Sequence, residues 1–224
     1  MDARTKLTDA WPLFGLRLRT EHLVLRMPTD DDVVELLEVA KGGIHPPDEM
    51  PFGMAWTSVE GAAFDRSFMQ HYWRTRGAFS PEAWFLNFMV ELDGHPIGAQ
   101  HVEGEEFAIL RTVHTGSWLG REHQGRGLGK EMRAAVLGFA FDGLDALVAE
   151  SSAFVDNAAS NGVSRALGYE ENGVGSLAPQ GVARPTQKFR MTADMWRSRP
   201  RPALGIEGLD GIRGMFGAGS ANRA

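Results

Sequence analysis

The pattern of apolar and polar positions predicts an alternating succession of strands and helices. Short apolar runs between turn residues indicate strands, and apolar residues spaced three or four apart indicate helices. The predicted strands cover residues 23–25, 83–92, 96–102, 112–119, 146–149, 169–175 and 186–192. The predicted helices cover residues 30–41, 57–76, 130–140, 157–167 and 193–197, while residues 42–52 and 103–111 are predicted loops.

The order of these elements predicts a mixed α/β (α+β) protein. A strand–helix–strand succession around residues 130–145 implies one parallel pair of strands, because a crossover helix returns the chain in the same direction. The other strands follow one another closely enough to pair antiparallel. We therefore expect a mostly antiparallel seven-stranded sheet with flanking helices in one domain over residues 1–198, followed by a Gly-rich tail over residues 199–224.

Glycines in the tail recur at every third position from Gly205 to Gly217. Apolar residues between Ile206 and Met215 follow the same period. We expect the tail to dock on an apolar edge of its own domain or of a neighbouring subunit.

Composition excludes several classes of site and partner. The 224 residues include no cysteine, which excludes disulfides, thiol nucleophiles and cysteine-based zinc sites, and we predict no metal. A net charge of −6 disfavours broad binding to nucleic acid. No apolar run approaches the roughly 20 residues that a membrane helix needs. The first residues, Met1 to Arg4, carry no apolar signal region, so we predict a cytoplasmic protein without membrane contact.

A glycine-rich loop between a predicted strand and a predicted helix is the most informative stretch. Glycines let backbone N–H groups approach an anion, and the helix that follows offers unpaired donors and the positive end of its dipole. The alternative is a flexible connection in which each glycine only turns the chain. The spacing matches neither a Rossmann fingerprint nor a Walker loop. The predicted phosphate-binding residues are Gln124, Gly125, Arg126, Gly127, Leu128, Gly129 and Lys130.

Three stretches together resemble one known superfamily. They are Gly116-Ser-Trp-Leu-Gly120, then Gln124-x-x-Gly127-x-Gly129, then Asn157-x-x-Ser160-x-x-x-Ser164-x-x-x-Gly168-Tyr169. This pattern resembles the GNAT superfamily of acyl-CoA-dependent N-acyltransferases over roughly residues 20–195. It is most similar to the branch that includes the ribosomal-protein N-terminal acetyltransferases. The segments 131–137 and 152–157 resemble an actinobacterial succinyl-CoA transferase of that branch.

The resemblance implies the GNAT fold, with a splayed central parallel pair at residues 112–119 and 145–150 and pantetheine inserted between the two strands. Trp118 and Leu119 would offer backbone groups to pantetheine, and the amides of residues 124–130 would bind the pyrophosphate of an acyl-CoA. Asn157 and Ser160 would line the later part of the same site.

Acyl transfer from a thioester to an amine needs a base, a donor to the developing oxyanion and a proton for the departing thiolate. Ser164 stands where the family motif often carries a tyrosine acid, and its alternative role is a hydroxyl bonded to the helix backbone. His114 stands where relatives carry a carboxylate, and it is the candidate base. The backbone N–H of Leu119 is the candidate oxyanion donor. The residues that compete with His114 are His101, His123, Glu105 and Glu106.

Two further features concern the acyl chain and the acceptor. Arg111 is a candidate partner for the free carboxylate of a succinyl donor, and the alternative is a solvated surface arginine. The resemblance places residues 42–56 over the acceptor cleft, and the alternative is a packed Ω-type loop. The candidate acceptor-binding residues in this loop are His45, Asp48, Phe52 and Trp56.

Three functions follow as hypotheses. The first is an N-acyltransferase that uses acyl-CoA by direct attack in a ternary complex, with succinyl-CoA favoured over acetyl-CoA and a protein amine or small amine as acceptor. The second is an aminoacyl-tRNA-dependent GNAT-like acyltransferase of a natural-product pathway. The third is a non-catalytic acyl-CoA-binding sensor. The resemblance also makes a homodimer the expected assembly.

Overall fold

A single nine-stranded sheet organises the chain, of which a computed structural model describes residues 3–218. The strand order across the sheet is β7-β8-β6-β5-β4-β3-β2-β1-β9, and every neighbouring pair is antiparallel except β5 and β6. The strands are β1 (Arg17–Arg19), β2 (Leu23–Arg26), β3 (Ala83–Leu92), β4 (His95–Glu105), β5 (Thr112–Leu119), β6 (Val148–Phe154), β7 (Glu170–Leu177), β8 (Arg184–Thr192) and β9 (Gly205–Glu207).

Helices cover both faces of this sheet. One apolar core joins the sheet to α5 and the tail, and a second core joins the opposite face to α2 and α3. Within residues 3–218, no helix combines the length and the apolar character that crossing a membrane requires. The helices are α1 (Ala3–Ala10), α2 (Asp30–Lys41), α3 (Gly61–Gly77), α4 (Phe107–Leu110), α5 (Leu128–Gly138), α6 (Ala158–Leu167) and α7 (Ala193–Arg197).

The expected strand number of seven was wrong, because two strands of three residues each extend one edge of the sheet. In β1 the sequence Arg-Leu-Arg has a single apolar residue, and β9 lies in the Gly-rich tail, so neither shows a strand pattern. The two strands pair with each other, Leu18 opposite Ile206. The tail thus docks on the edge of its own sheet, which is one of the two arrangements expected above; the other was docking on a neighbouring subunit. Residues 1–2 and 219–224 of the predicted units lie outside the described residues.

Several predicted boundaries also shift. The helix predicted from residue 57 begins only at Gly61, and the Thr57 hydroxyl instead lies 2.7 Å from His45 Nε2. The predicted loop after residue 102 is wrong, since β4 continues to Glu105 and α4 follows. The strand predicted at residues 146–149 instead spans Val148–Phe154.

The parallel strands β5 and β6 separate after three paired positions. The register ends at His114 opposite Glu150, yet β5 continues to Leu119 and β6 to Phe154. Beyond His114 the two strands therefore diverge and leave facing edges without a partner strand. The expected splayed parallel pair is confirmed, and we call the space between residues 115–119 and 151–154 the wedge.

Candidate functional site

The wedge opens into a cleft of about 1030 Å³. Its walls come from the diverging ends of β5 and β6, the glycine loop (residues 124–130), the first turns of α6 and the loop before α3 (residues 42–60). Twelve of the predicted site residues line it. They are His45, Phe52, His114, Trp118, Leu119, Gln124, Gly125, Gly127, Gly129, Lys130, Asn157 and Ser160.

The glycine loop adopts a backbone that other residues rarely adopt. Gly125 has φ = +70° and Gly127 has φ = +82°, which is the left-handed region. Gly127 is also the N-cap of α5, and no side chain caps that helix end. A Cβ atom on either glycine would meet nothing within 4 Å, so the space over the loop is open. The loop thus exposes a helix N-terminus toward the cleft, and such ends bind anions.

Gln124 fastens this loop to two other walls of the cleft. Its side-chain Nε2 donates to the carbonyl oxygen of Ile44 at 2.7 Å and to that of Leu119 at 2.8 Å. One amide therefore holds the glycine loop against the end of β5 and against the loop before α3.

The opposite wall begins with the N-terminus of α6. Asn157 Oδ1 accepts a hydrogen bond from the Ser160 N–H at 3.0 Å, which makes Asn157 the N-cap. These two predicted acyl-CoA-binding residues thus cap the helix through a hydrogen bond to each other. Gly168 ends the same helix with φ = +83°, as its sequence position predicts.

The apex of the wedge carries a histidine between two carboxylates. His114 Nδ1 lies 3.8 Å from Glu150 Oε2, and Glu103 is the register partner of His114 on β4. All three residues line the cleft. Burial raises the pKa of Glu103, against the smaller lowering effect of His114. A carboxylate with a raised pKa is a better proton acceptor than an exposed one.

His101, one of the alternative bases, has a different environment. Burial lowers the pKa of His101 to about 3, and the nearby Arg133, His71 and His114 lower it further. Its ring stacks on Phe85 and fills the space that a side chain on Gly116 would need. His101 therefore stays neutral near pH 7 and is a weak proton acceptor.

Arg133 reaches the wedge from the helix that follows the glycine loop. Its Nη1 donates to Ser151 Oγ on β6 at 2.9 Å, and its Nη2 lies 3.4 Å from Ser117 Oγ on β5. Arg133 is 3% exposed and lines the cleft. Its Nε is buried without a hydrogen-bond partner. Among the residues that the structure describes, no carboxylate forms an ion pair with it.

The loop before α3 packs through aromatic rings onto the same face as His114. Trp56 lies 5.1 Å from Phe52 and 5.9 Å from Trp118 between ring centroids. His45 Nδ1 donates to the Pro46 carbonyl at 2.8 Å. Arg184, on β8, donates to the Met50 carbonyl at 2.6 Å, so the loop is held from both sides of the cleft.

Six predicted site residues do not line the cleft. Ser164 is 1% exposed and buried in α6. Arg111 donates to the Leu144 carbonyl at 3.2 Å and stacks over Phe107, at the end of β5 that is far from the glycine loop. Leu128 is buried under the loop. The others, Arg126, Asp48 and Trp56, lie at the surface or inside the aromatic cluster.

Sequence reasoning missed several charged residues of the cleft, among them Glu103, Arg133 and Glu150. Glu103 fell in a predicted loop, so its alternation with His101 along a strand was not seen. Arg133 interrupts an apolar helical stretch from Met132 to Val136, and a charge on a buried helix face was the signal for it. In the described part of the chain, no cluster of three or more His, Asp or Glu side chains could hold a metal ion.

Comparisons with known proteins agree with this geometry. The sequence model of a family described as an acetyltransferase (GNAT) domain matches residues 22–170. The fold is similar to that of RimJ from Mycobacterium smegmatis in complex with CoA-disulfide, with a TM-score of 0.64 and 20% identity over 86% of this chain and 91% of that one.

Two other solved structures share the fold. The acetyltransferase (GNAT family) from Bacillus anthracis has a TM-score of 0.63 at 15% identity, over 80% of this chain and 99% of that chain. The microcin C7 self-immunity acetyltransferase MccE, in complex with acetyl-CoA and AMP, has a TM-score of 0.57 at 15% identity, over 77% of this chain and 93% of that one.

Proposed function

The chain belongs to the acetyltransferase (GNAT) domain family, and from this premise we propose that it transfers an acyl group from acyl-CoA to a primary amine, with succinyl-CoA favoured over acetyl-CoA. The preference for succinyl is supported by the resemblance of residues 131–137 and 152–157 to a succinyl-CoA transferase. A cytoplasmic location and a homodimer stay predictions.

The observation that carries this proposal is the wedge, with the glycine loop at its open end. An extended pantetheine arm can pair with the unpartnered edge of β5 at Trp118 and Leu119, as an added strand would. The N-terminus of α5 suits a pyrophosphate. Lys130 and Lys188 line the cleft and add positive charge to its walls. The residues present therefore fit an acyl-CoA, which supplies the thioester.

The apex of the wedge suits the transfer itself. The amine nitrogen bonds to the thioester carbonyl carbon, the carbon–sulfur bond breaks, and the sulfur departs with the electron pair as a thiolate, which takes a proton from solvent water. We assign removal of the amine proton to Glu103 with His114, because both face the apex and Glu103 has a raised pKa. The Leu119 N–H remains the proposed oxyanion donor.

The acceptor is proposed to be cationic. Glu103 and Glu150 flank the apex, and the chain carries a net charge of −6. A protonated amine is attracted to such a site before it loses its proton. Both a protein amine and a small-molecule amine meet this description.

Two measurements on the purified protein test the proposal. Calorimetry should give CoA a micromolar dissociation constant, and succinyl-CoA or acetyl-CoA with a panel of amines should release free thiol. Gly127→Glu should abolish CoA binding while the circular dichroism spectrum is kept, because the added carboxylate occupies the pyrophosphate position. Gly94→Glu is the matched control, at an exposed turn with φ = +79° and open space around it.

Each contrary result has a distinct meaning. Absence of CoA binding by the wild type would overturn the proposal. CoA binding without thiol release from any amine would support a sensor instead of an enzyme. Unchanged CoA affinity in Gly127→Glu would mean that the pyrophosphate binds elsewhere.

A further inference from the structure

We propose that Arg133 is the residue that selects the acyl chain, by binding the free carboxylate of a dicarboxylic acyl-CoA inside the wedge. The inference deepens the proposed function and rests on it. It replaces Arg111 as the candidate partner for that carboxylate, since Arg111 does not line the cleft.

The first argument is the charge of Arg133. An arginine side chain stays protonated at all ordinary pH values, and a buried charge is costly unless an opposite charge or several hydrogen bonds compensate it. Arg133 is 3% exposed, and the described residues give it only two neutral hydroxyls, from Ser117 and Ser151. No described residue offers an acceptor to its Nε–H. The site is therefore built for an anion that arrives from outside the chain.

The second argument is position. Ser151 directly follows Glu150, the last residue of β6 that pairs with β5, so the guanidinium lies at the apex of the wedge. The guanidinium lies deeper in the wedge than the glycine loop, between Ser117 on β5 and Ser151 on β6. We place the acyl end of an arm that enters at the glycine loop beside it. The anion it meets there belongs to the acyl chain rather than to the phosphates.

The third argument is the geometry of the donors. A guanidinium has five N–H groups, of which Arg133 directs two at serine hydroxyls. The remaining N–H groups can form a two-pronged pair with a carboxylate. The methyl group of an acetyl chain offers no acceptor to these donors. A succinyl carboxylate satisfies them, so the dicarboxylic chain is favoured.

The test compares two donors on three variants by binding alone, in the absence of amine. Calorimetry should show that Arg133→Met weakens succinyl-CoA binding roughly 10- to 100-fold, the range expected for a lost charge-assisted hydrogen bond. Acetyl-CoA binding should change less than about threefold. Compared with Arg133→Met, Arg133→Lys should recover part of the succinyl-CoA affinity, because lysine restores the positive charge but not the planar pair of N–H donors. Arg66→Met, an exposed arginine on α3, is the matched control and should change neither affinity.

The outcomes separate this inference from the proposed function. Equal weakening of both donors by Arg133→Met would overturn the inference, because the arginine would then bind a part that the donors share. Equal affinity of the wild type for both donors would also overturn it, while CoA binding and acetyl transfer would leave the proposed function intact. Absence of any CoA binding would remove the proposed function itself. If Arg133→Met does not fold, Arg133→Lys with a loss confined to succinyl-CoA still supports the inference.

Discussion

The side-chain amide of Gln124 donates a 2.8 Å hydrogen bond to the carbonyl oxygen of Leu119, the last residue of β5. The same Nε2 donates to Ile44 at 2.7 Å. The glycine loop, the wall of the wedge and the loop before α3 thus share one donor group. Their relative positions therefore depend on this residue.

We expect Gln124→Met to weaken CoA binding by more than it weakens the fold. The substitution keeps the length of the side chain but removes both hydrogen bonds, each worth roughly 0.5–1.5 kcal/mol. The loop then loses its preformed position, and the dissociation constant for CoA should rise roughly tenfold. Calorimetry with CoA measures this rise. Gln70→Met, at an exposed position of α3, should leave the constant unchanged. A wild-type affinity in Gln124→Met would show that the loop is positioned without this side chain.

The pH dependence of turnover identifies the base. Burial raises the pKa of Glu103 above its ordinary value of 4.5, and only the ionised carboxylate accepts a proton. If Glu103 is the base, kcat falls as the pH is lowered through this raised pKa, so the acidic limb of the profile lies above pH 4.5. Glu103→Gln should reduce kcat by at least about tenfold and remove that limb.

The matched control is Glu170→Gln, at an exposed position of β7. It should keep both kcat and the shape of the profile. An acidic limb that persists in Glu103→Gln would assign the base to another group, with His114 as the next to test. CoA affinity should be the same in all these variants, because none of these side chains belongs to the loop.

The burial of Ser164 argues against its predicted role as the acid. It is 1% exposed and does not line the cleft, so its hydroxyl has no direct path to a departing thiolate. We expect Ser164→Ala to change kcat less than about twofold and to alter the free energy of unfolding by about 1 kcal/mol. Steady-state kinetics with saturating acyl-CoA measures the first quantity. A large loss of kcat at unchanged CoA affinity would restore Ser164 as the acid.

The elements that the sequence predicted well are those with a long or strongly periodic pattern. The strand at residues 83–92 and the helix at residues 30–41 were found with their bounds, because each combines a clear period with turn or capping residues. Thr29 caps this helix and exchanges hydrogen bonds with Asp32. The splayed pair followed from a strand–helix–strand order and a family resemblance, not from local pattern.

The features that could not be predicted from the sequence depend on contacts between residues that are distant along the chain. The strand β1 is recognisable only beside its partner β9, nearly 190 positions away along the chain. Arg133 meets Ser117 and Ser151, which lie 16 and 18 positions away, so its partners are set by the fold. Contacts between residues so far apart in the sequence leave no periodic pattern of apolar positions. The glycine loop is recognisable in the sequence because all its residues are adjacent.

The tail contributes a large side chain to the main core, and its loss should destabilise the whole domain. Phe216 is fully buried, with ring centroids 5.2 Å from Trp84, 5.7 Å from Phe79 and 5.8 Å from Phe139. Truncation of a buried phenylalanine to alanine costs about 3–5 kcal/mol, because transfer energy is lost and a cavity remains. We expect Phe216→Ala to lower the free energy of unfolding in urea by that amount.

Met54→Ala is the control, because Met54 is 73% exposed and its truncation leaves no cavity. A loss below about 1 kcal/mol in Phe216→Ala would mean that the tail does not pack on the core in solution. The predicted division at residue 198 would then describe two independent parts. The full loss would instead make residues 205–218 part of the folding unit, because their apolar side chains complete the core beneath β3 and β4.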